Sequence, residues 1–363
     1  MLEIILSKIQ NNPISYEGYL EYAKYLENVN LKQVYLTYEN ALFYWQDELV
    51  HIEIQNKLDE NAYRQGKVEP ASIVILSYNN RQLTQQCIES IRETTPESAR
   101  EIVIVDNNSQ DDSVEYLRQQ DDIVLIENNC NAGFPGGCNI GIKASRKEND
   151  IFLLNNDTIL CANSLYTLRM GLYEKDNYGA AGCVTNYCIN HQSVFKSDSI
   201  AELKEYGKQN NVIKESCIEH KLILVGYAVL IKRHVLELIS YLDERFFPGN
   251  KEDDDLSLRI LQSNYQNVIV HNSYIIHLGG ESFDKIDRRK ILIENTCKFN
   301  FKYHLDVDSD SFFKLYFDSK SLFYEGCLDS SIQRTVLDVN CEMGARMAHL
   351  AYLHSNIDFY GLD

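Results

Sequence analysis

The stretch "IFLLNNDTIL", residues Ile151 to Leu160, runs an apolar segment directly into two amides and a carboxylate. A carboxylate buried without a partner costs several kcal/mol, so Asp157 predicts either a compensating cation or a cleft at this point. Asn155, two positions earlier in an extended chain, lies on the same side as Asp157. Amide and carboxylate oxygens are the ligands that Mg²⁺ and Mn²⁺ prefer. We therefore expect a divalent cation at Asp157, with phosphate oxygens of a ligand completing its coordination.

Short β-branched runs precede this stretch and alternate with helical patterns. The runs are "SIVIL", "EIVIVD" and "DIVLIE", and one helical pattern is formed by Leu83, Cys87, Ile88 and Ile91. Such alternation predicts a parallel sheet of βαβ units, in which ligands bind beyond the carboxyl ends of the strands. Polar side chains follow three of the strands at that edge, at residues 78–80, 106–109 and 155–157. A second block, with strands "KLILVGYAVLI" and "NVIVHNSYIIHL", is expected to continue the sheet as a mixed one.

Two motifs along this edge have both a functional and a structural interpretation. Asp106, at the end of "EIVIVD", is placed to accept hydrogen bonds from a ribose or a base edge, or else only to stabilise a turn. In "NAGFPGGCNIGIKAS", Gly133, Gly136 and Gly137 would let the backbone approach an anionic ligand at a helix start, or would only form a turn. The segment matches neither the dinucleotide fingerprint nor the P-loop.

The acidic residues 252–255 and His277 also have both a functional and a structural interpretation. Residues 252–255 begin a helix, where acidic side chains interact favourably with the helix dipole. Because four consecutive carboxylates repel one another, one held near a cleft could instead have a raised pKa and serve as a general base. His277 ends a strand in "IIHLGGES", as a structural residue or as a further metal ligand.

The composition limits the class of protein. A net charge of −18 over 363 residues argues against binding to nucleic acid or to anionic membrane surfaces. We expect no transmembrane segment, because no run of about 18 apolar residues occurs. Ten scattered cysteines without a C-x-x-C pair suggest reduced thiols in a cytoplasmic protein, which would visit a membrane-bound partner rather than cross the membrane. Residues 1–68 are predicted to form helical hairpins, as a helical pack or homodimerisation element rather than a peptide-binding solenoid.

The ordered motifs between about Ala71 and Phe301 resemble those of the inverting nucleotide-sugar glycosyltransferases of family 2, which have the GT-A fold. The motifs are "SIVILSYNN", "EIVIVDNNSQDDS", "NAGFPGGCNIGI", "LLNNDT", and "FFPGNKEDDDLSLRI" followed by "IIHLGGES". The resemblance implies an α/β GT-A domain over residues 69–303. It also implies Mn²⁺- or Mg²⁺-dependent transfer of a sugar, with inversion, from a UDP-, dTDP- or GDP-sugar to a hydroxyl of a glycan, a lipid-linked glycan or a protein.

The resemblance also assigns roles to single residues. Asp253 would be the catalytic base, Asp157 and His277 would hold the metal, and Gly226 would lie near the donor sugar. The nucleotide side of the site would comprise Leu76, Tyr78, Asp106, Gly133, Gly136, Gly137, Asn139, Asn155 and Asn156. Arg288, or its neighbours 289 and 290, would stabilise the departing diphosphate, unless these side chains only form a solvated helix face. Asn155 replaces the first carboxylate of the family's D-x-D motif, so we expect weaker or substrate-dependent metal binding.

The C-terminal residues suggest a separate fragment. Beyond a predicted helical linker at 304–334, residues 335–363 resemble the first strand, helix and second strand of an S-adenosylmethionine-dependent methyltransferase, with Asp363 at the ribose position. Gly344 alone remains of the usual glycine series, so we expect a truncated βαβ-like segment without methyl transfer. The alternatives to an active sugar transferase are part of a bifunctional transferase and methyltransferase, and a non-catalytic adaptor acting through the N-terminal helices.

Overall fold

The computed structural model describes residues 2–45, 48–188, 192–279, 285–303, 334–339 and 357–362. The chain divides into two compact units, residues 1–282 and residues 283–363. None of the helices among the described residues is long and apolar enough to span a membrane.

A nine-stranded sheet forms the centre of the first unit. The strands are β1 (Ala71–Ser77), β2 (Arg100–Asp106), β3 (Ile123–Glu127), β4 (Asp150–Asn155), β5 (Thr158–Leu160), β6 (Tyr178–Val184), β7 (Ile218–Lys221), β8 (Ala228–Ile231) and β9 (Gln266–His277). Strands β3, β2, β1 and β4 are parallel neighbours in that order, as the β-branched runs predicted. The register places Leu76 beside Asn155 and Ser77 beside Asp106, so the polar residues that follow these strands meet at one edge.

Beyond β4 the sheet is mixed. Strand β8 lies antiparallel between β4 and β6, with Leu154 opposite Ala228. The segment that precedes β8 therefore lies at the same edge of the sheet as the end of β4. Strand β9 ends at that edge as well, because His277 pairs with Thr158 of β5.

The run "KLILVGYAVLI" does not form the single strand that its apolar character predicted. Lys221 ends β7, residues 228–231 form β8, and residues 222–227 lie between the two strands. Their main-chain N–H groups bind side chains instead: Leu224 donates to Ser257 Oγ at 3.1 Å and Gly226 to Asp253 Oδ2 at 2.9 Å. Hydrogen bonds to a helix replace strand pairing here.

Helices cover both faces of the sheet. The first unit contains α1 (Leu2–Asn11), α2 (Tyr16–Leu26), α3 (Leu31–Phe43), α4 (Glu48–Asn61), α5 (Arg81–Thr94), α6 (Ser113–Leu117), α7 (Gly133–Ala144), α8 (Ser164–Leu172), α9 (Ile200–Asn210), α10 (Arg233–Ile239) and α11 (Glu252–Gln262), and the second unit contains α12 (Lys285–Tyr303). One core joins the sheet to α5 and α8, and a second core joins its other face to α7, α10 and α11. The mixed α/β architecture expected of the GT-A fold is thereby confirmed.

The N-terminal residues are helical, as predicted, and pack on the sheet domain within the same unit. Their core includes Tyr166 and Met170 of α8. A buried ion pair joins α8 to α3, with Arg169 Nη1 at 2.5 Å from Glu39 Oε2. Arg169 also donates to the carbonyl oxygen of Glu69 at 2.9 Å. The bundle is therefore fixed to α8 by charge as well as by apolar contact.

The second unit contains α12 and a parallel pair of strands, β10 (Arg334–Val339) and β11 (Ile357–Leu362). Parallel pairing is the arrangement expected of a βαβ-like segment. The predicted linker up to residue 333, Gly344 and Asp363 lie outside the described residues. The methyltransferase resemblance stays a prediction.

Candidate active site

Asp157 and His277, 120 positions apart in the chain, face each other at the carboxyl edge of the sheet. Asp157 follows β4 and is only 7% exposed. Its Oδ1 lies 3.4 Å from Nε2 of His277, the last residue of β9. The main chain holds the two segments together, because Leu278 N–H donates to the Asp157 carbonyl at 2.9 Å. The structure thus brings together the two residues for which metal binding was expected.

Two contacts fix the orientation of the His277 ring, one at its Nδ1 and one at its face. Its Nδ1 lies 2.9 Å from the carbonyl oxygen of Tyr187, which can only accept a hydrogen, so Nδ1 carries the proton. Its face stacks on Tyr227, with ring centroids 5.1 Å apart and planes inclined by 16°. Burial lowers the pKa of His277, but the hydrogen bond and the charge of Asp157 outweigh burial and raise the pKa overall. This arrangement leaves Nε2 to face Asp157, as in histidines that ligate metals while donating their other N–H to a carbonyl.

Asp253 lies in the first turn of α11 with its carboxylate held by main-chain groups. Gly226 N–H donates to Oδ2 at 2.9 Å and Asp254 N–H donates to Oδ1 at 3.0 Å. Burial raises the pKa of Asp253, and these hydrogen bonds together with Lys251 oppose the rise without cancelling it. Burial, followed by repulsion from Asp253, also holds the pKa of Glu252 well above its usual range. A half-buried carboxylate with a raised pKa has the properties of a general base.

Residues 226 and 227 connect these two groups. Gly226 binds Asp253, while the ring of Tyr227 packs on His277. The Tyr227 carbonyl also accepts a hydrogen bond from the main-chain N–H of Asn155 at 2.9 Å. A carbon at the Cβ position of Gly226 would lie 3.2 Å from Asp253 Cβ, so a side chain there would crowd the carboxylate. Sequence reasoning missed Tyr227, because an aromatic residue between two apolar runs is read as core.

The amides around Asp157 differ in what they contact. The Oδ1 of Asn155 is buried and has no hydrogen-bond partner among the described residues. Asn156, in contrast, donates to Thr84 Oγ1 of α5 at 3.0 Å. Asn155 is therefore the amide with a free acceptor at this edge.

Asp106 and Asn139 are engaged in local hydrogen bonds. The carboxylate of Asp106 accepts from Ser109, from the main-chain N–H at 2.8 Å and from Oγ at 2.5 Å, as in the turn interpretation. Asn139 is buried, donates to the carbonyl of Leu242 at 2.8 Å and to Glu244 Oε1 at 2.9 Å, and accepts from Leu242 N–H at 3.0 Å. In this structure Asn139 positions the segment 242–244.

The glycines of α7 lie close to protein atoms. A Cβ on Gly137 would lie 2.2 Å from Leu76 Cδ1, so this glycine lets the helix pack closely on β1. A Cβ on Gly136 would lie 3.2 Å from that of Ala132. Gly133 has a φ of +70°, and a Cβ there would lie 2.7 Å from the ring of Phe247. Tyr78, just after β1, is 43% exposed.

Arg288 lies in α12, which belongs to the second unit, and its side chain is outside the described residues. Residues 289 and 290 are exposed on the same helix. Their proposed interaction with a diphosphate stays a prediction.

Curated proteins with known names share parts of this sequence. The chain is 35% identical over 112 residues to the poly(ribitol-phosphate) beta-glucosyltransferase of Bacillus spizizenii, covering 29% of this chain and 17% of the relative. It is 25% identical over 206 residues to the low-salt glycan biosynthesis hexosyltransferase Agl10 of Haloferax volcanii, covering 51% and 59%. The chain thus spans less than two thirds of the length of either relative.

Among solved structures, the mannosyltransferase PcManGT from Pyrobaculum calidifontis, in complex with GDP-Man and Mn²⁺, resembles this chain with a TM-score of 0.48 and 16% identity. The superposition covers 73% of this chain and 75% of that chain. The family comparison is more specific, since residues 72–239 match the sequence profile described as glycosyl transferase family 2. That match ends before Asp253 and His277. Residues 72–239, somewhat less than half of the chain, thus resemble a glycosyl transferase family 2 domain, the family that the sequence motifs indicated.

Proposed function

We propose that this chain transfers a sugar from a nucleoside-diphosphate sugar to an acceptor hydroxyl, with a divalent cation and with inversion at the anomeric carbon. The observation that carries the proposal is the pairing of Asp157 with His277 at 3.4 Å, connected through residues 226–227 to a carboxylate of raised pKa at Asp253. A metal site and a base at one sheet edge are the two parts that this reaction needs.

The residues present fit a divalent cation. Asp157 offers a carboxylate oxygen, His277 an imidazole nitrogen whose partner Nδ1 is bound to a carbonyl, and Asn155 a buried oxygen without a hydrogen-bond partner among the described residues. An oxygen-rich set with one imidazole suits Mn²⁺ or Mg²⁺. A cation held here would polarise the diphosphate and stabilise its departing charge. We expect the amide at position 155 to make cation binding weaker than two carboxylates would, and more dependent on the bound nucleotide.

The protein's own residues supply the proton transfer. The N–H groups of Gly226 and Asp254 fix the carboxylate of Asp253, so that its oxygens point in one direction. Asp253 takes the proton from the acceptor hydroxyl as that oxygen forms a bond to the anomeric carbon and the bond to the diphosphate breaks. A single displacement from the face opposite the leaving group inverts the configuration. Burial disfavours the charged carboxylate, so it favours transfer of the proton from the acceptor hydroxyl to Asp253.

The names of the relatives guide the choice of substrate. One is named a beta-glucosyltransferase acting on poly(ribitol-phosphate) and another a hexosyltransferase of glycan biosynthesis. We therefore propose a hexose donor linked to UDP, dTDP or GDP, and an acceptor hydroxyl on a glycan or glycoconjugate.

The first experiment is a screen of UDP-, dTDP- and GDP-hexoses for hydrolysis and for thermal stabilisation, with Mn²⁺ and with a chelator. We expect one nucleotide class to stabilise the chain in the presence of Mn²⁺ and to be hydrolysed slowly. A chain that none of these donors stabilises, and that hydrolyses none of them, would contradict the proposed function.

A pair of variants then tests the base. Asp253→Asn keeps the size of the side chain but cannot accept the proton, so transfer should fall about 10²- to 10⁴-fold while nucleotide binding is retained. Asp254→Asn is the matched control, because Asp254 lies in the same helical turn and contacts Lys251 at 3.1 Å. Transfer by the control should stay within a few fold of wild type. Equal rates in Asp253→Asn and wild type would refute the assignment of the base.

A further inference from the structure

A cavity lies at the edge of the sheet opposite the candidate active site. It has a volume of about 600 Å³, within the usual range for small-molecule sites, and Asp150 is one of its lining residues. Asp150 begins β4, whereas Asn155 ends it, so the two edges are separated by roughly 16 Å of strand. The cavity is lined on one side by the N-terminal helices and on the other by the sheet domain.

Two lysines from different elements approach one aromatic ring in this cavity. The Nζ of Lys32, on α3, lies 5.5 Å from the ring centroid of Tyr173, and the Nζ of Lys232, just before α10, lies 5.0 Å from it. The two ammonium groups repel each other. Burial, followed by this repulsion from Lys32, lowers the pKa of Lys232 to about 8.

Most carboxylates around the cavity already have partners. Lys32 pairs with Asp176 at 2.9 Å, and Lys67 pairs with Glu69 at 2.8 Å. Asp150 accepts hydrogen bonds on both oxygens, from Arg233 N–H at 3.0 Å and from the Tyr173 hydroxyl at 2.6 Å.

Lys232 is different. It is 2% exposed, and its ammonium group donates to the carbonyls of Lys175 and Asp176, each at 3.1 Å. Among the described residues, no carboxylate oxygen lies within 4.0 Å of its Nζ. A buried ammonium that binds only carbonyl dipoles has lost much of its hydration and gained no direct counter-charge, and the more distant carboxylates of Asp150 and Asp176 raise its pKa by less than burial and Lys32 lower it. An anion in the cavity would supply that charge and would also relieve the repulsion between the two lysines.

We propose that this cavity binds a small phosphorylated polyol or sugar, with the phosphate group at the ammonium groups of Lys32 and Lys232. A phosphate accepts hydrogen bonds from both ammonium groups, and at Lys32 it would share the cation with the exposed carboxylate of Asp176. The remaining volume is lined in part by Glu148 and Glu237, whose carboxylates accept hydrogen bonds from hydroxyl groups. Because α3 and the residue before α10 both hold the phosphate, the ligand joins the N-terminal bundle to the sheet domain.

The test measures binding of glycerol 3-phosphate by calorimetry and by thermal stabilisation, with glycerol and inorganic phosphate as reference ligands. Wild type should bind glycerol 3-phosphate more tightly than inorganic phosphate and should not bind glycerol. Lys232→Met and Lys32→Met should each weaken binding about tenfold or more, since each removes one charged hydrogen bond. Lys8→Met is the matched control, because Lys8 forms a similar surface ion pair with Glu21, at 2.6 Å, away from the cavity.

Three results would overturn the proposal: no binding to wild type, unchanged binding in both cavity variants, or equal loss in Lys8→Met. Lys32 is more exposed than Lys232, so its variant keeps the test valid if Lys232→Met fails to fold. Asp157→Ala should bind glycerol 3-phosphate as wild type does. This variant separates the cavity from the proposed nucleotide site, so either proposal can fail without the other.

Discussion

Tyr227 supports the candidate metal site through its contact with His277 and is not itself a candidate ligand. Its ring packs on His277, and its hydroxyl donates to the carbonyl of Cys183 at 2.7 Å. The hydroxyl anchors the ring, and the ring in turn limits rotation of the imidazole. Groups that orient a ligating histidine typically affect metal affinity by tenfold or more.

Two substitutions separate these roles. Tyr227→Phe keeps the stacked ring and should lower the free energy of unfolding by about 1 kcal/mol through loss of one hydrogen bond, with unchanged Mn²⁺ affinity. Tyr227→Leu removes the ring and should weaken Mn²⁺ binding about tenfold. Titration with Mn²⁺ followed by paramagnetic resonance measures the two Mn²⁺ affinities, and urea denaturation measures the change in the free energy of unfolding. Equal Mn²⁺ affinity in the two variants would show that the ring does not position His277.

If Asp253 is the base, as proposed, its raised pKa sets the pH dependence of transfer. The base acts in its deprotonated form, so kcat/KM should fall as the pH decreases through this raised pKa. That acid limb should lie above the value of about 3.9 of an ordinary aspartate. Lys251 lowers the pKa of Asp253, so Lys251→Gln should move the acid limb to higher pH. A profile of kcat/KM against pH checks the direction, with Lys143→Gln on the surface of α7 as control, and a shift to lower pH would contradict it.

At the scale of elements, docking of α3 on α8 depends on the ion pair between Glu39 and Arg169. Both side chains are almost fully buried, at 5% and 3% exposure. Removing one partner leaves an uncompensated buried charge, which typically costs about 3–5 kcal/mol. Replacing both by apolar residues removes the charge altogether.

We therefore expect Glu39→Leu to lower the free energy of unfolding by about 3–5 kcal/mol, and the double variant with Arg169→Met to recover much of this loss. Urea denaturation measures both changes. The exposed pair of Lys8 and Glu21 is the control, and its removal should cost less than about 1 kcal/mol. A double variant no more stable than the single one would indicate that packing, not charge, dominates this contact.

The strands and helices that local patterns define were predictable from the sequence. The parallel strands β1–β4 are β-branched runs, and α5 repeats apolar residues at helical spacing, so each pattern is contained within a short segment. Joint binding of a metal by His277 and Asp157 was one of two interpretations of the histidine, and the family resemblance favoured it, because the contact depends on the pairing of β5 with β9, which are distant in the sequence. The residues 222–227 could not be predicted, since their N–H groups bind side chains of a helix that comes later in the chain. The cavity between Lys32 and Lys232 depends on docking of two regions and leaves no local pattern.

For the whole molecule, assembly through the N-terminal helices stays a prediction. One face of the bundle is used for contact with α8, so a second copy would have to use another. Large apolar side chains remain exposed elsewhere on the bundle, at Ile4 (64%), Leu49 (78%) and Ile52 (52%).

If the chain forms a homodimer through the exposed apolar side chains of the bundle, light scattering after gel filtration should give twice the 42.0 kDa of one chain. Leu49→Lys, which places a charge in an apolar contact, should reduce the mass to that of a monomer. Ser7→Lys on α1 is a control that adds the same charge at a polar position. A wild-type chain that remains monomeric at all concentrations would exclude this interface.

The reversed direction of β8 has a consequence for how such a protein changes over generations. A parallel strand brings the residues that follow it to the ligand edge, whereas this antiparallel strand brings the six residues that precede it, 222–227. Apart from the Tyr227 carbonyl, which accepts from the N–H of Asn155, those residues lie outside the strands, so replacing residues 222–225 alters this edge while the sheet keeps its hydrogen bonds. If the proposed donor sugar binds here, libraries randomised at residues 222–225, with Gly226 and Tyr227 kept, should yield variants with altered donor preference.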